Sequence, residues 1–227
     1  MQISKSNFEF LTQLQKNNNR EWFNKNKDWY QREHQNTIDF AEALIEELNK
    51  YDDLETTSGK KSLFRIYRDV RFSKDKSPYK PSWSGFIKRA TALRRGGYYF
   101  VIQPGNSFVG GGFWGPNSGD LNLIRAHIAQ DDTQLREILS NKKFIQTFGT
   151  LQGEKLKTAP RGFEKDHPAL DLLQYKQYLL MHPFHDEEVL DKKFIECMAE
   201  VYQEMLPFFN YMSEILTTDL NGISLIE

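Results

Sequence analysis

A single cysteine, Cys197, excludes any disulfide within the chain and accords with a reducing compartment. No apolar run approaches the roughly 20 residues that a membrane-spanning helix requires. The first ten residues lack the basic segment followed by an apolar stretch that marks a secretory signal. The expected location is therefore the cytoplasm, with no membrane partner. No linker rich in proline, glycine and serine divides the 227 residues, which predicts one domain over residues 1–227. Gly-x-Ser-x-Gly elbows, Walker loops and zinc-ligand spacings are all missing. No motif calls for a cofactor or a metal, and catalysis has no independent signature.

What the chain does have is apolar material and an uneven charge. Hydrophobic residues make up 39% and aromatics 14%, enough apolar surface to offset the entropy of ordering. The net charge is −1, yet residues 60 to 95 hold twelve Lys/Arg against only Asp69 and Asp75, a local charge of +10. Residues 185 to 227 carry −8. This asymmetry has two readings: an anion-binding face, or a basic region paired internally with acidic helices. Exposed pairs are worth only about 0–1 kcal/mol, so counting charges does not decide between them.

The periodicity predicts helices at both ends around a central run of strands. Ser4 or Ser6 is placed to cap a short helix bearing Phe10, Leu11 and Leu14, and a longer helix follows to about Tyr51. From Leu63 the period becomes two: Phe64, Ile66, Val70 and Phe72 alternate with Arg65, Tyr67, Asp69 and Arg71, as in a half-buried strand. Ser73 to Pro81 reads as a loop, and Trp83 to Lys88 as a strand. Tyr98 to Gln103 and Phe108 to Trp114 form a hairpin about Pro104-Gly105-Asn106-Ser107, and Tyr178 to Met181 is a further strand. Ser118 is expected to cap one helix, and a last one covers about 186 to 211 with Cys197 on its apolar face. These elements imply an α+β fold with a mainly antiparallel sheet.

The segment from Arg65 to Lys80 is the densest in chemistry. On the strand reading Arg68 stands among Ile66, Val70 and Phe72, and a guanidinium on an apolar face must be paired. Its partner is either a carboxylate on a packing helix or a bound anion. Lys76 and Lys80 add point charges from the loop that follows. Tyr67, Tyr79, Phe72, Trp83 and Phe86 interleave with these bases, a composition that also suits nucleic acid, although alternating aromatics more often belong to a core.

That stretch, with Asn19-Arg20-Glu21-Trp22-Phe23, resembles the motif set of a bacterial family known only as a conserved domain of unknown function, DUF2461. The similarity extends to Tyr98-Tyr99-Phe100, to Phe108-Val109-Gly110-Gly111-Gly112, to Leu123-Ile124-Arg125, and through Pro160-Arg161-Gly162-Phe163 to Asp166-His167-Pro168. The resemblance implies a single domain and carries no catalytic residues.

Three further features have plain structural explanations. Gly110 to Gly112 lie in a hairpin strand, where they allow close backbone approach beneath an aromatic such as Trp114 or beside a ligand. Asp166 is placed to cap a helix with Pro168 in its first turn, on a loop that also carries Lys157, Arg161 and His167. His182 and His185 with nearby carboxylates are a weak metal signal. The leading expectation is a site for a phosphate-bearing or other anionic small molecule, built from Arg65, Arg68, Arg71, Lys76 and Lys80, with Arg161 as an addition. An enzyme acting on such a ligand would use Asp69 or Asp75 as base and Tyr79 or His167 as acid. A module that self-associates through its basic and acidic faces is the third reading. Oligomeric state has no signal in the sequence.

Overall fold

Helix ends in this chain are set by short polar side chains. Ser4 accepts from the Asn7 N–H and starts α1 (Lys5–Lys16), and Asn19 accepts from the Trp22 N–H and starts α2 (Arg20–Lys25). Asn26 then interrupts the predicted long helix: its backbone and side-chain N–H groups both return to the Trp22 carbonyl, and α3 (Lys27–Leu48) begins afresh. In chain order there follow α4 (Gly59–Ser62), β1 (Trp83–Lys88), β2 (Gly97–Ile102), β3 (Ser107–Phe113), α5 (Ser118–Gln130), α6 (Thr133–Ser140) and α7 (Lys142–Phe148). The chain continues through α8 (Leu170–Leu173), β4 (Tyr178–Phe184), α9 (Asp186–Val189), α10 (Phe194–Gln203) and α11 (Leu206–Ile215). The structure, a computed structural model, describes residues 1–226. The four strands form an antiparallel sheet in the order β1-β2-β3-β4, and the fold is α+β. Among the described residues no helix is long and apolar enough to cross a membrane.

Several expectations need correction. Residues 64 to 72 are not a strand. Only isolated bridges form, Leu63 to Gly85 and Tyr67 to Tyr79, and their pairings differ in register by two residues. Pro78 and Pro81 lie on the partner segment and have no N–H to give, so a continuous ladder cannot form. Phe72 is consequently 96% exposed and Phe64 47%, rather than sharing a buried face. The predicted last helix is three: Pro207 lies in the first turn of α11, where its missing N–H is harmless, and α10 stops at Gln203. Cys197 is exposed, not core, because the buried stripe of α10 runs through Phe194, Ile195, Met198, Ala199 and Tyr202. Asn117, not Ser118, caps α5.

The chain divides into two compact units, each using parts of the sheet strands. The first comprises Met1–Lys88, Tyr99–Val109 and Pro183–Glu200. Its core is tied by Asn7, fully buried on α1, whose amide donates to the Glu33 carbonyl and Thr37 hydroxyl of α3 and accepts from the Trp83 indole at 2.5 Å. Gly59 lets α4 sit directly on α3: a Cβ there would fall 2.3 Å from the Ile38 carbonyl oxygen. Phe40 stacks on Phe194 at 5.8 Å.

The second unit comprises Arg89–Tyr98, Gly110–His182 and the chain from Val201 onward. Gly111 admits the Phe209 ring and the Met205 sulfur, which would lie 2.6 and 2.7 Å from a Cβ; the aromatic over the triple glycine is thus Phe209, while Trp114 is 67% exposed. Two arginines are buried here. The Arg89 guanidinium donates to the Arg95 carbonyl, the Ser213 hydroxyl and the Asn210 side chain, and lies over the Phe209 ring at 5.2 Å. Arg125 on α5 donates to the Leu173 and Tyr175 carbonyls at 2.9 and 3.2 Å.

A candidate anion site at Arg65 and Lys80

The segment 65–80 leaves and rejoins the first unit through a short paired neck. Arg68 N–H donates to the Pro78 carbonyl at 2.9 Å and Lys80 N–H to the Ile66 carbonyl at 2.8 Å, setting Tyr67 beside Tyr79. Asn18 clamps the neck, accepting from the Tyr79 N–H at 3.1 Å and donating to its carbonyl at 2.9 Å. The Tyr79 ring is buried against Phe23, with centroids 4.0 Å apart and planes 12° from parallel.

Beyond the neck the loop satisfies most of its own charges. Arg68 pairs with Asp75, seven residues on, and not with a helix carboxylate. Asp75 also accepts from the Ser77 hydroxyl at 2.7 Å and the Ser77 N–H at 2.9 Å. Arg71 holds Asp69 through Nε at 3.0 Å and a terminal nitrogen at 2.6 Å, and the Lys76 ammonium donates to the Val70 carbonyl at 2.9 Å. The Arg71 guanidinium lowers the Asp69 carboxyl below the usual range, and the Ser77 donors followed by Arg68 lower that of Asp75. Carboxylates so stabilised are weak bases. Tyr79 is also a poor acid: burial raises its phenol.

Arg65 and Lys80 stand apart from this network. Arg65 is exposed and, among the described residues, makes no hydrogen bond or ion pair; its charge acts on Asp69 and Lys80 at longer range. Lys80 is half-buried with its ammonium 5.7 Å from the centre of the Phe64 ring and, among the described residues, in no ion pair. Burial, and then the positive charge of Arg65, push its pKa down. Arg65 and Lys80 are thus two cations that disfavour each other, one of them partly desolvated; a guanidinium has the planar fork and an ammonium the mobile point charge suited to anions.

A second group in the same unit escaped the sequence reading. Tyr30 and His34, four residues apart on α3, stack on each other at 5.4 Å, and both lie against Trp83, at 5.8 and 5.6 Å. Burial and then Lys60 lower the His34 pKa, so the ring is held neutral; burial and then Tyr67 raise the Tyr30 phenol. The i, i+4 spacing was the available signal, since it places two side chains on one helix face.

Of the remaining predicted residues, Arg161, His167 and His182 belong to the second unit and His185 to the first. Arg161 is exposed in the turn at Gly162 and, among the described residues, forms no hydrogen bond or ion pair. His167, not Asp166, organises the start of α8: its Nδ1 accepts from the Ala169 N–H at 3.1 Å, which puts the ring proton on Nε2. His182 Nδ1 lies 2.7 Å from the Thr147 carbonyl and His185 is the N-cap of α9. Among the described residues no group of three or more His, Cys, Asp or Glu is placed to hold a metal ion.

The chain matches no curated protein and no solved structure. From residue 6 to residue 211 it does match the conserved hypothetical proteins of DUF2461, and it belongs to that family.

Proposed function

We propose that the protein binds a phosphate-bearing or otherwise anionic small molecule at Arg65 and Lys80. The observation that carries this reading is the contrast within one segment. Arg68 and Arg71 hold carboxylates, whereas among the described residues Arg65 and Lys80 hold none, the charge of Arg65 acts on Lys80, and Lys80 is partly desolvated as well. Five predicted cations thus reduce to two that are available for a ligand, with Arg68, Arg71 and Lys76 shaping the loop beside them. A hydrolase or transferase working through Asp69 or Asp75 is the weaker reading, because both carboxylates are already engaged and held ionised. We place the protein in the cytoplasm, where its lone cysteine would stay reduced.

The test is calorimetric titration with inorganic pyrophosphate at low ionic strength. Wild type should bind saturably, and Arg65→Gln and Lys80→Gln should each weaken binding by about tenfold or more, the usual worth of a hydrogen bond to a charged group. Arg71→Gln should stay within about twofold of wild type, because that guanidinium serves the loop. Equal affinity in Arg65→Gln, Lys80→Gln and wild type, or no binding by wild type, would overturn the proposal.

A further inference from the structure

One face of β1 and its neighbours carries a row of aromatic rings that is only partly covered, with Phe64 and Phe86 exposed. Trp83 and Ile87 point from β1 into the core at 2% and 0% exposure, while Phe86 and Lys88 point away, with Phe86 37% exposed. On this outer face Ser84 bonds to the phenol of Tyr99 on β2. The Phe64 N–H donates to the Ser84 carbonyl at 2.9 Å, extending the sheet past the β1 edge. Ring then follows ring across the strands: Phe64 lies 6.2 Å from Tyr99, and Tyr99 lies 5.9 Å from Phe108 on β3. Tyr99 and Phe108 are half-buried, and Phe64 is the most exposed of the row.

A soluble sheet surface is ordinarily polar on its solvent side. Here it is aromatic, and one cation of the candidate anion site stands at its edge: the Lys80 ammonium lies over the Phe64 ring itself, and Arg65, exposed, is the residue after Phe64 in the chain. Lys88 adds a charge from the same face of β1, shared with Glu55 at 2.7 Å. Phosphodiester backbones need spaced cations, and unpaired bases need ring faces on which to stack without regard to sequence. An acidic protein partner would use the cations and leave the rings without a role. We infer that this face binds single-stranded nucleic acid, its bases stacking on Phe64, Phe86 and Tyr99 and its phosphates meeting Arg65 and Lys80. The inference rests on the anion reading above and names the polymer to which the anion belongs.

The experiment is fluorescence anisotropy of end-labelled eight-nucleotide oligo(dT) and oligo(rU) on the full chain at about 50 mM salt, where phosphate contacts are strong. Pyrophosphate titration is run on the same proteins. A double variant, Phe64→Leu with Phe86→Leu, removes two exposed rings while keeping apolar bulk. It should weaken oligonucleotide binding by about tenfold or more, as expected for lost base stacking, and leave pyrophosphate affinity unchanged. Lys80→Gln should weaken both ligands and flatten the salt dependence of oligonucleotide binding by about 0.7 in log–log slope, the single-strand value per phosphate contact. Tyr99→Leu is the second probe of stacking should the double variant fold poorly by circular dichroism. Oligonucleotide affinity unchanged by loss of the rings would overturn the inference. So would displacement of the oligonucleotide by poly-glutamate at equal charge concentration, and so would pyrophosphate binding without oligonucleotide binding. If wild type binds neither ligand, the anion reading fails with it.

Discussion

Substituting Gly112 with alanine is expected to stop the chain from reaching its native state at 37 °C. The residue has φ +123°, a conformation that L side chains rarely adopt, and a Cβ there would lie 2.2 Å from the Tyr178 carbonyl oxygen and 3.1 Å from the Leu179 Cα. Both obstacles are backbone atoms of β4, so no side chain can rotate away. Backbone strain costs about 1–3 kcal/mol and overpacking about 1–3 kcal/mol more. Together they reach about 4 kcal/mol, close to the whole stability of a marginal domain. Gly115 is the control, with nothing within 4 Å of its would-be Cβ; Gly115→Ala should shift stability by no more than about 0.5 kcal/mol. Urea unfolding followed by circular dichroism reads both variants. A Gly112→Ala midpoint equal to wild type would show that β3 and β4 do not approach as closely as described.

The second large effect is expected at Arg125. Arg125 is 8% exposed, and its guanidinium donates to two carbonyls at the C-terminal end of α8, that of Leu173, its last residue, and that of Tyr175, two residues on. Burial lowers its pKa, a sign that the charge is held in a poorly solvated place by those carbonyls. Arg125→Met fills most of the volume yet leaves both acceptors buried without a donor, each costing about 1–3 kcal/mol. A loss of about 3 kcal/mol is therefore expected. Arg125→Lys should be intermediate, because an ammonium lacks the fork that reaches both oxygens. Replacing a buried charge by an apolar group can be neutral when its partners are replaced too, but backbone carbonyls cannot be. Denaturant midpoints for the two variants supply the check, and a methionine variant as stable as wild type would contradict this role.

Arg125 also marks where sequence reasoning stopped. A period of two places Arg68 among apolar residues and so marks it as the cation to be buried. The buried guanidiniums are instead Arg89 and Arg125, and Arg68 pairs with Asp75 in its own loop. Periodicity reports which residues would share a face if the backbone were regular; it does not report that Pro78 and Pro81 on the partner segment prevent the ladder. The β2–β3 hairpin was legible because its turn chemistry and alternation agree: Gly105 takes φ +74° and the Asn106 N–H closes on the Gln103 carbonyl. The start of α1 was legible for a similar reason, a serine cap ahead of an apolar stripe. Cys197 was misassigned because a stripe inferred over 26 residues drifts once the helix breaks, and one step of about 100° around α10 carries the thiol from the core to solvent.

Of the candidate site, the basic segment itself was visible, but not its division into spent and available charges. That division depends on Asp69 and Asp75, which the sequence offered as bases and the fold uses as partners for Arg71 and Arg68. The stacked pair Tyr30 and His34 stayed hidden for a different reason. Trp83 and Lys60, which define its surroundings, arrive from 26 or more residues away, and no local pattern encodes that meeting.

On the proposed function, Lys80 is a cation kept short of a negative partner until a ligand arrives. Its ammonium can be followed directly by NMR after reductive methylation with a carbon-13 label, with Lys80→Arg used to assign the resonance. The Lys80 pKa is expected below the ordinary lysine value in the free protein, rising toward or above that value when pyrophosphate is added. An ordinary pKa that pyrophosphate does not move would contradict it.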